Sequence, residues 1–349
     1  MNGVTIDGRQ VGPSAPPYIV AELSANHGGD LQRALRIIEL IAEAGADAVK
    51  FQAYTAESLT LDCGLPGFTI EGESLWKDRR LYELYAEAAT PYDWFPELYA
   101  RARRCGITPF TSPFGLDALE MLEALDTPAY KIASFEAVDH GLIAAFAATG
   151  KPLVISTGLC SLEEIAEAVA TARAAGCEEI VLLKCNSAYP ASFEEANLLA
   201  IPALAERFGL PVGYSDHTLG VGAPVAACAL GACMIEKHVI DSREPPTADS
   251  QFSALPSELR EIVTLCRAAQ EARGEAAFGP TEREQQSLMF RRSLYAVADI
   301  AAGEAFTGEN VRSIRPGHGL APKHLPEVLG RQARRALKRG EPLTWEDLS

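Results

Sequence analysis

The chain has 349 residues, 48% of them hydrophobic and 22% charged, and a formal net charge of −16. This is ordinary folded-protein composition, and the acidic balance argues against nucleic acid or an anionic membrane surface as a partner. No apolar run approaches the ~20 residues that span a bilayer, and the opening MNGVTIDGRQ lacks the basic and apolar segments of a signal peptide, so a cytoplasmic location is expected.

After a short N-terminal segment, strand-like apolar runs alternate with amphipathic helical runs such as LQRALRIIELIAEAG and SLEEIAEAVATARAAG. Strands are predicted near 18–23, 47–52, 107–111, 129–133, 152–156, 179–185, 211–215 and 232–238. Eight strands with eight helices ending near residue 273 predict an α/β fold, a (β/α)8 TIM barrel. The connection from Ala53 to Pro91 is too long for an ordinary βα loop and carries Trp76, Tyr82 and Tyr85, which suggests a functional lid. Residues 274–289 lose the apolar period and read as a linker; 290–349, with short alternating strands and Gly-rich turns, read as a small strand-rich second domain.

In a TIM barrel the chemistry sits at the C-terminal ends of the strands. Here those ends carry Glu22, Lys50 and Gln52, Thr111 and Ser112, Lys131 and Ser134, Ser156 and Thr157. The later strands add Lys184, Asn186 and Ser187, then Ser215, Asp216 and His217, then Glu236, Lys237 and His238. Side chains alternate between strand faces, so Ser215 pairs with His217 and Glu236 with His238. Two histidines at the ends of the last two strands would face each other across the barrel mouth, where neutral imidazoles can share a divalent metal while leaving positions open for water and substrate. With oxygen donors completing the shell, Mn2+ is the first choice and Mg2+ or Co2+ the alternatives, ahead of zinc.

Only eight lysines occur, yet four lie in predicted barrel strands. A buried ammonium needs an anion, so Lys50, Lys131 and Lys184 predict an anionic ligand, a phosphate or a carboxylate, held with the Ser and Thr hydroxyls of the same rim. Internal ion pairs to Glu22, Glu136, Asp216 or Glu236 are the alternative, and the preferred one for Lys237 on the opposite strand face. The eight cysteines are scattered singly, the pattern of reduced, packed thiols, and Cys185 is read the same way.

The stretches IVAELSANHGGDLQRAL, AGADAVKFQAY, RRLYELYAEAATPYDW, FTSPF, PAYKIASFE, GKPLVISTG, LLKCNSAYP, VGYSDHTLG, ALGACMIEKHV, RRSLYAVADI and VRSIRPGHGL run in order along nearly the whole chain. Together they resemble the sialic acid synthase family, most closely its pseudaminic acid branch. The resemblance implies a TIM barrel followed by an antifreeze-protein-like SAF (β-clip) domain, assembled as a domain-swapped homodimer. It implies metal ligation by His217 and His238, and a phosphoenolpyruvate pocket of Lys50, Ser112, Lys131, Ser134, Ser156, Ser187 and Ser215. Glu22, Gln52 and Glu236 would stand near the sugar or the reacting carbons, with Glu22 managing protons or orienting hydroxyls. Arg315, in the RPG motif, would enter the partner's site and hold the sugar's acyl group. The loop after His238, IDSREPPTADS, departs from the family pattern but keeps Asp249 at the expected spacing, as a sugar contact; Asn186 stands where Thr is more usual. The implied reaction joins phosphoenolpyruvate to 2,4-diacetamido-2,4,6-trideoxy-L-altrose. N-acetylneuraminic or legionaminic acid synthesis is the alternative, and an inactive barrel carrying a SAF-type binding module is a second.

Overall fold

Runs such as Ile180–Cys185 are apolar on both faces for most of their length, as parallel strands buried on both sides must be. The computed structural model describes residues 3–72 and 75–349. A hairpin, β1 (Val4–Ile6) and β2 (Arg9–Val11), comes first. Eight parallel strands then close into a barrel in the order of the chain: β3 (Tyr18–Glu22), β4 (Ala48–Ala53), β5 (Thr108–Pro113), β6 (Tyr130–Ile132), β7 (Leu153–Ser156), β8 (Ile180–Cys185), β9 (Val212–Asp216) and β10 (Met234–His238), the last pairing back onto β3. The predicted TIM barrel is the observed one.

Helix α1 (Leu31–Ala44) shows why the outer layer forms where it does. Asp30 caps its start by accepting from the Gln32 amide, and Gly45 ends it at a φ of 89°, a left-handed conformation that suits glycine. Between them Ala34, Leu35, Ile38 and Ile41 recur on one buried face. Two further helices, α2 (Ala56–Leu59) and α3 (Leu81–Ala88), lie within the long connection after β4. The remaining barrel helices are α4 (Phe95–Arg104), α5 (Leu119–Ala124), α6 (His140–Ala147), α7 (Leu162–Ala174), α8 (Ala200–Phe208), α9 (Gly222–Ala229) and α10 (Pro256–Arg273).

Strand alternation divides the interior into two cores. Residues such as Ile19, Val49, Phe51, Ile132, Ile155, Leu182 and Tyr214 pack outward against the helices. The other parity, Tyr18, Val20, Ala48, Phe110, Val154, Val181, Leu183 and Met234, fills the barrel, and Val4, Ile6 and Val11 of the hairpin join this inner core. Gly213 is needed there: a Cβ on it would fall within 3.0 Å of Leu183 and Met234. Followed towards the C-terminal ends, each inner row turns polar, as in Tyr18–Val20–Glu22 and Met234–Glu236–His238.

The chain divides into two compact units, Met1–Gly274 and Glu275–Ser349. Within the second, β11 (Ser293–Ala296) pairs antiparallel with β12 (Val311–Ile314) over a core of Leu294, Ile300, Phe306, Val311, Val328, Leu337 and Leu343. Among the described residues no helix is long and apolar enough to cross a membrane.

Candidate active site at the barrel mouth

Strand register brings the polar inner residues together. Glu22 lies beside His238 on one side and Lys50 on the other, Ser215 beside Glu236, and Gln52 beside Ser112. Lys50 is ion-paired with Glu22 and donates to Ser112 Oγ at 3.0 Å. Glu236 Oε1 accepts from Ser215 Oγ at 2.9 Å and from Lys131 Nζ at 3.4 Å, and its Oε2 lies 3.9 Å from Lys50 Nζ. All four charged groups are buried.

The pairing is incomplete. Glu22 Oε1, Glu236 Oε2 and Ser156 Oγ are enclosed without a hydrogen-bond partner, a costly state for buried polar atoms and one that a ligand relieves. Burial pushes the Glu22 carboxyl above its ordinary range, with Lys50 pulling the other way; Glu236 is also opposed by burial, but Lys131 and Lys50 hold it below that range. Burial disfavours the Lys50 ammonium, but Glu22 and Glu236 together bring it above its ordinary range, whereas Lys131 ends below its usual range, since burial and Lys50 outweigh Glu236. Two neighbouring carboxyls pushed in opposite directions are suited to different proton roles.

One layer further along the strands, roughly 6–7 Å at two residues' rise, a cavity of about 600 Å³ opens. Gln52, Ser134, Ser187, His238 and Asp249 border it, together with Glu136 and the aromatic residues Tyr54, Trp76, Tyr85, Tyr189 and Phe252. Ser134 and Ser187 approach each other across Gly158, where a Cβ would come within 3.0 Å of both hydroxyls; the bare backbone leaves a cradle that any side chain would fill.

The two imidazoles lie with ring centroids 5.3 Å apart; Phe252 packs on both, and Tyr189 packs on His217 and on Phe252. His217 Nδ1 donates to the Asn186 carbonyl oxygen at 2.9 Å, which leaves Nε2 as the nitrogen open to a proton or a cation; burial disfavours the charged ring, but Cys185 and the Asn186 carbonyl bring it above its ordinary range. His238 Nδ1 is buried without a hydrogen-bond partner, 3.7 Å from Asp249 Oδ2. Burial, His217 and the nearby lysines hold His238 far below its ordinary range, which keeps it neutral. An uncharged, unpartnered nitrogen beside a second oriented imidazole fits a divalent cation. Among the described residues no group of three His, Cys, Asp or Glu side chains is gathered to enclose one, so the protein would supply a partial shell.

One expectation needs correction: Lys184, expected to face the anion, shares its parity with Tyr214 on the outer face and donates to the Cys185 carbonyl at 2.7 Å. Within the long connection, Trp76 and Tyr85 line the cavity, while Tyr82 bonds Glu57. Lys237 pairs with Asp216 Oδ2 at 2.6 Å on the outer face, as expected. Cys185 is inward and buried beside His217; burial raises its thiol, but His217, Ser134 and Lys131 bring it down to about 7. Glu136 was considered only as an ion-pair partner. Its Oε2 is enclosed without a partner, and burial pushes the carboxyl up to about 7.

Comparison with known proteins accords with this architecture. The family model described as NeuB family matches residues 37–277, and that described as SAF domain matches 291–349. The chain belongs to the NeuB family. It is 44% identical over 335 residues to the pseudaminic acid synthase of Helicobacter pylori, covering 95% of this chain and 98% of that one. It is 43% identical over 330 residues to the pseudaminic acid synthase of Campylobacter jejuni strain 81-176, covering 95% and 96%. The crystal structure of N-acetylneuraminic acid synthetase from Leptospira borgpetersenii, in complex with citrate, superposes with a TM-score of 0.74 at 33% identity, covering 82% of this chain and 95% of that one. Within this NeuB chain the barrel unit carries every expected site residue except Arg315, which is exposed just beyond β12 in the SAF unit.

Proposed function

We propose that the protein condenses phosphoenolpyruvate with 2,4-diacetamido-2,4,6-trideoxy-L-altrose and water to give pseudaminic acid and phosphate. The observation that carries this reading is the buried cluster of Lys50, Lys131, Glu22 and Glu236 with its unpartnered oxygens, one layer below the cavity at the barrel mouth. The names of the 43–44% identical relatives favour this sugar over an N-acetylneuraminic or legionaminic precursor.

Lys50 and Lys131 offset the charge of phosphate and carboxylate, and the hydroxyls of Ser112, Ser134, Ser156, Ser187 and Ser215 orient them. Held so, C3 of the enol bonds to the aldehyde carbon, whose oxygen takes up a proton. Water adds at C2, and phosphate departs with its bridging oxygen, leaving a ketone. Gln52, Asp249 and Glu22 face the sugar's hydroxyls, and Glu136, matched to neutral pH, is suited to hold or release a proton. Glu236 remains a carboxylate beside Lys131. His217 and His238 would hold a divalent cation, Mn2+ by preference over Mg2+ or Co2+, which when bound supplies Lewis-acid polarisation of a carbonyl. In a domain-swapped homodimer, Arg315 of a second copy would close the site on the sugar's acyl group. Dependence on phosphoenolpyruvate accords with a cytoplasmic location.

The test is phosphate release with a panel of acceptors after chelation and Mn2+ readdition. Turnover of the altrose compound, lost on chelation and restored by Mn2+, is expected; turnover of N-acetylmannosamine alone overturns the choice of sugar. Mixing inactive Arg315→Ala and His238→Ala chains under subunit exchange should restore up to a quarter of the activity, and no restoration counts against a shared site.

A further inference from the structure

The cavity has two unlike sides. One is the polar strand-end floor; the other is built mainly by the connection between β4 and α4 and presents Leu59, Ile70, Leu84 and Ala88 among the rings of Tyr54, Trp76 and Tyr85, with Phe114 and Phe135 from the next two strand ends. The six purely apolar residues of this side are Leu59, Ile70, Leu84, Ala88, Phe114 and Phe135. None of these six side chains can donate or accept a hydrogen bond. Such a wall suits a polyhydroxylated sugar poorly, because every hydroxyl pressed on it loses water without gaining a partner.

The wall is anchored. Ile70 is fixed through both backbone groups, donating to the Arg79 carbonyl at 2.9 Å and accepting from the Asp78 amide at 2.9 Å. Trp76 Nε1 donates to the Ala248 carbonyl at 3.2 Å, and its ring lies 5.8 Å from Tyr189, which ties the connection to the rim that carries Asp249. Along the same side, Tyr54 meets Tyr85 and Phe114 edge-on at 6.0 and 5.3 Å. A preformed apolar surface facing a polar floor discriminates between the two sides of a ligand.

We infer that this wall is the specificity element of the site, selecting an acceptor sugar whose far side carries methyl groups, a 6-deoxy carbon and acylamino methyls, over one carrying a hydroxymethyl group. The inference rests on the reading of the site as a nonulosonic acid synthase and deepens it. It assigns discrimination to Ile70, Leu59 and Leu84, none of which touches the reacting carbons, and leaves the strand-end residues to the chemistry that all such acceptors share.

The experiment compares kcat/KM for the 6-deoxy altrose acceptor and its 6-hydroxy counterpart in wild type, Ile70→Asn and Leu59→Thr, with the KM for phosphoenolpyruvate as internal control. Wild type should prefer the 6-deoxy sugar by about 10- to 100-fold, the range an apolar pocket gives for such a change. In Ile70→Asn the preference should fall about tenfold while the phosphoenolpyruvate KM holds, and Leu59→Thr gives the same readout should the first variant fail to fold. A merely structural wall would lower both sugars alike, and an unchanged ratio overturns the inference. Wild type inactive on both altrose sugars defeats the reading of the reaction instead. The same comparison, run on N-acetylmannosamine and its 6-deoxy form, then decides the wall by the same ratio.

Discussion

Lys237 on the outer face of β10 and Glu236 on its inner face are adjacent residues that handle buried charge in opposite ways. Outside, Lys237 bonds both Asp216 Oδ2 and the Thr218 carbonyl, while Asp216 Oδ1 accepts from the Thr218 amide at 2.9 Å and hydroxyl at 2.8 Å. That group is closed; its donors and acceptors are matched within the barrel wall. Inside, Glu22, Lys50, Lys131 and Glu236 leave carboxylate oxygens unmatched and push one lysine below its ordinary range. A closed pair holds the wall together, whereas an open cluster is a cost borne by the fold until a ligand arrives.

Substitution on the two faces should therefore produce opposite phenotypes. Lys131→Met is expected to reduce kcat/KM by about a thousandfold or more, on the order of 4 kcal/mol of transition-state stabilisation. Its melting temperature should fall less than that of the outer-face variant below, because Lys50 and Ser215 still face Glu236 once the disfavoured ammonium is gone. Lys237→Met should do the reverse, leaving Asp216 buried without its cation at about 3–5 kcal/mol, a fall of roughly 10 °C in Tm. Activity per folded molecule should drop by no more than about tenfold. Calorimetry beside steady-state kinetics separates the outcomes, and matching stability losses in the two variants would erase the distinction between the faces.

A smaller effect sharpens the same point at Glu136, which borders the cavity and faces Lys131, Asp139 and Tyr85. Burial lifts its carboxyl from 4.5 to about 7, so the folded chain binds a proton that the unfolded chain has released. Its contribution is greatest below about pH 4.5, declines as pH rises towards 7, and is gone above that. Glu136→Gln should remove this slope, raising stability at pH 8 by about 1–2 kcal/mol and leaving pH 4 unchanged. Melting curves at the two pH values measure it, and parallel shifts at both would contradict the assignment.

The barrel was readable because its cause is local: apolar runs long enough for one strand alternate with amphipathic stretches long enough for one helix. The active end was readable for the same reason, since inner rows such as Ala48–Lys50–Gln52 change from apolar to polar in one direction only. Lys184 departs from its expectation although the sequence holds the reason: it is one residue from the inward Cys185, so strand parity turns it outward beside Tyr214. The hairpin β1–β2 was also within reach: Asp7–Gly8 sits between alternating residues, and both positions take positive φ, at 49° and 74°. Glu136 was different. It lies on a single 3₁₀ turn, Ser134–Glu136, where neither strand nor helix periodicity predicts a direction, and its unpartnered oxygen depends on the β4 connection folding over it.

The hairpin also has a consequence for traffic. With Val4, Ile6 and Val11 seated in the inner core, the base of the barrel is filled, and the described cavity opens at the mouth. On the proposed reaction, a sugar in the cavity blocks the passage to the lysines below. The enol phosphate must then arrive first, and inorganic phosphate departs only after the nine-carbon product has cleared the way.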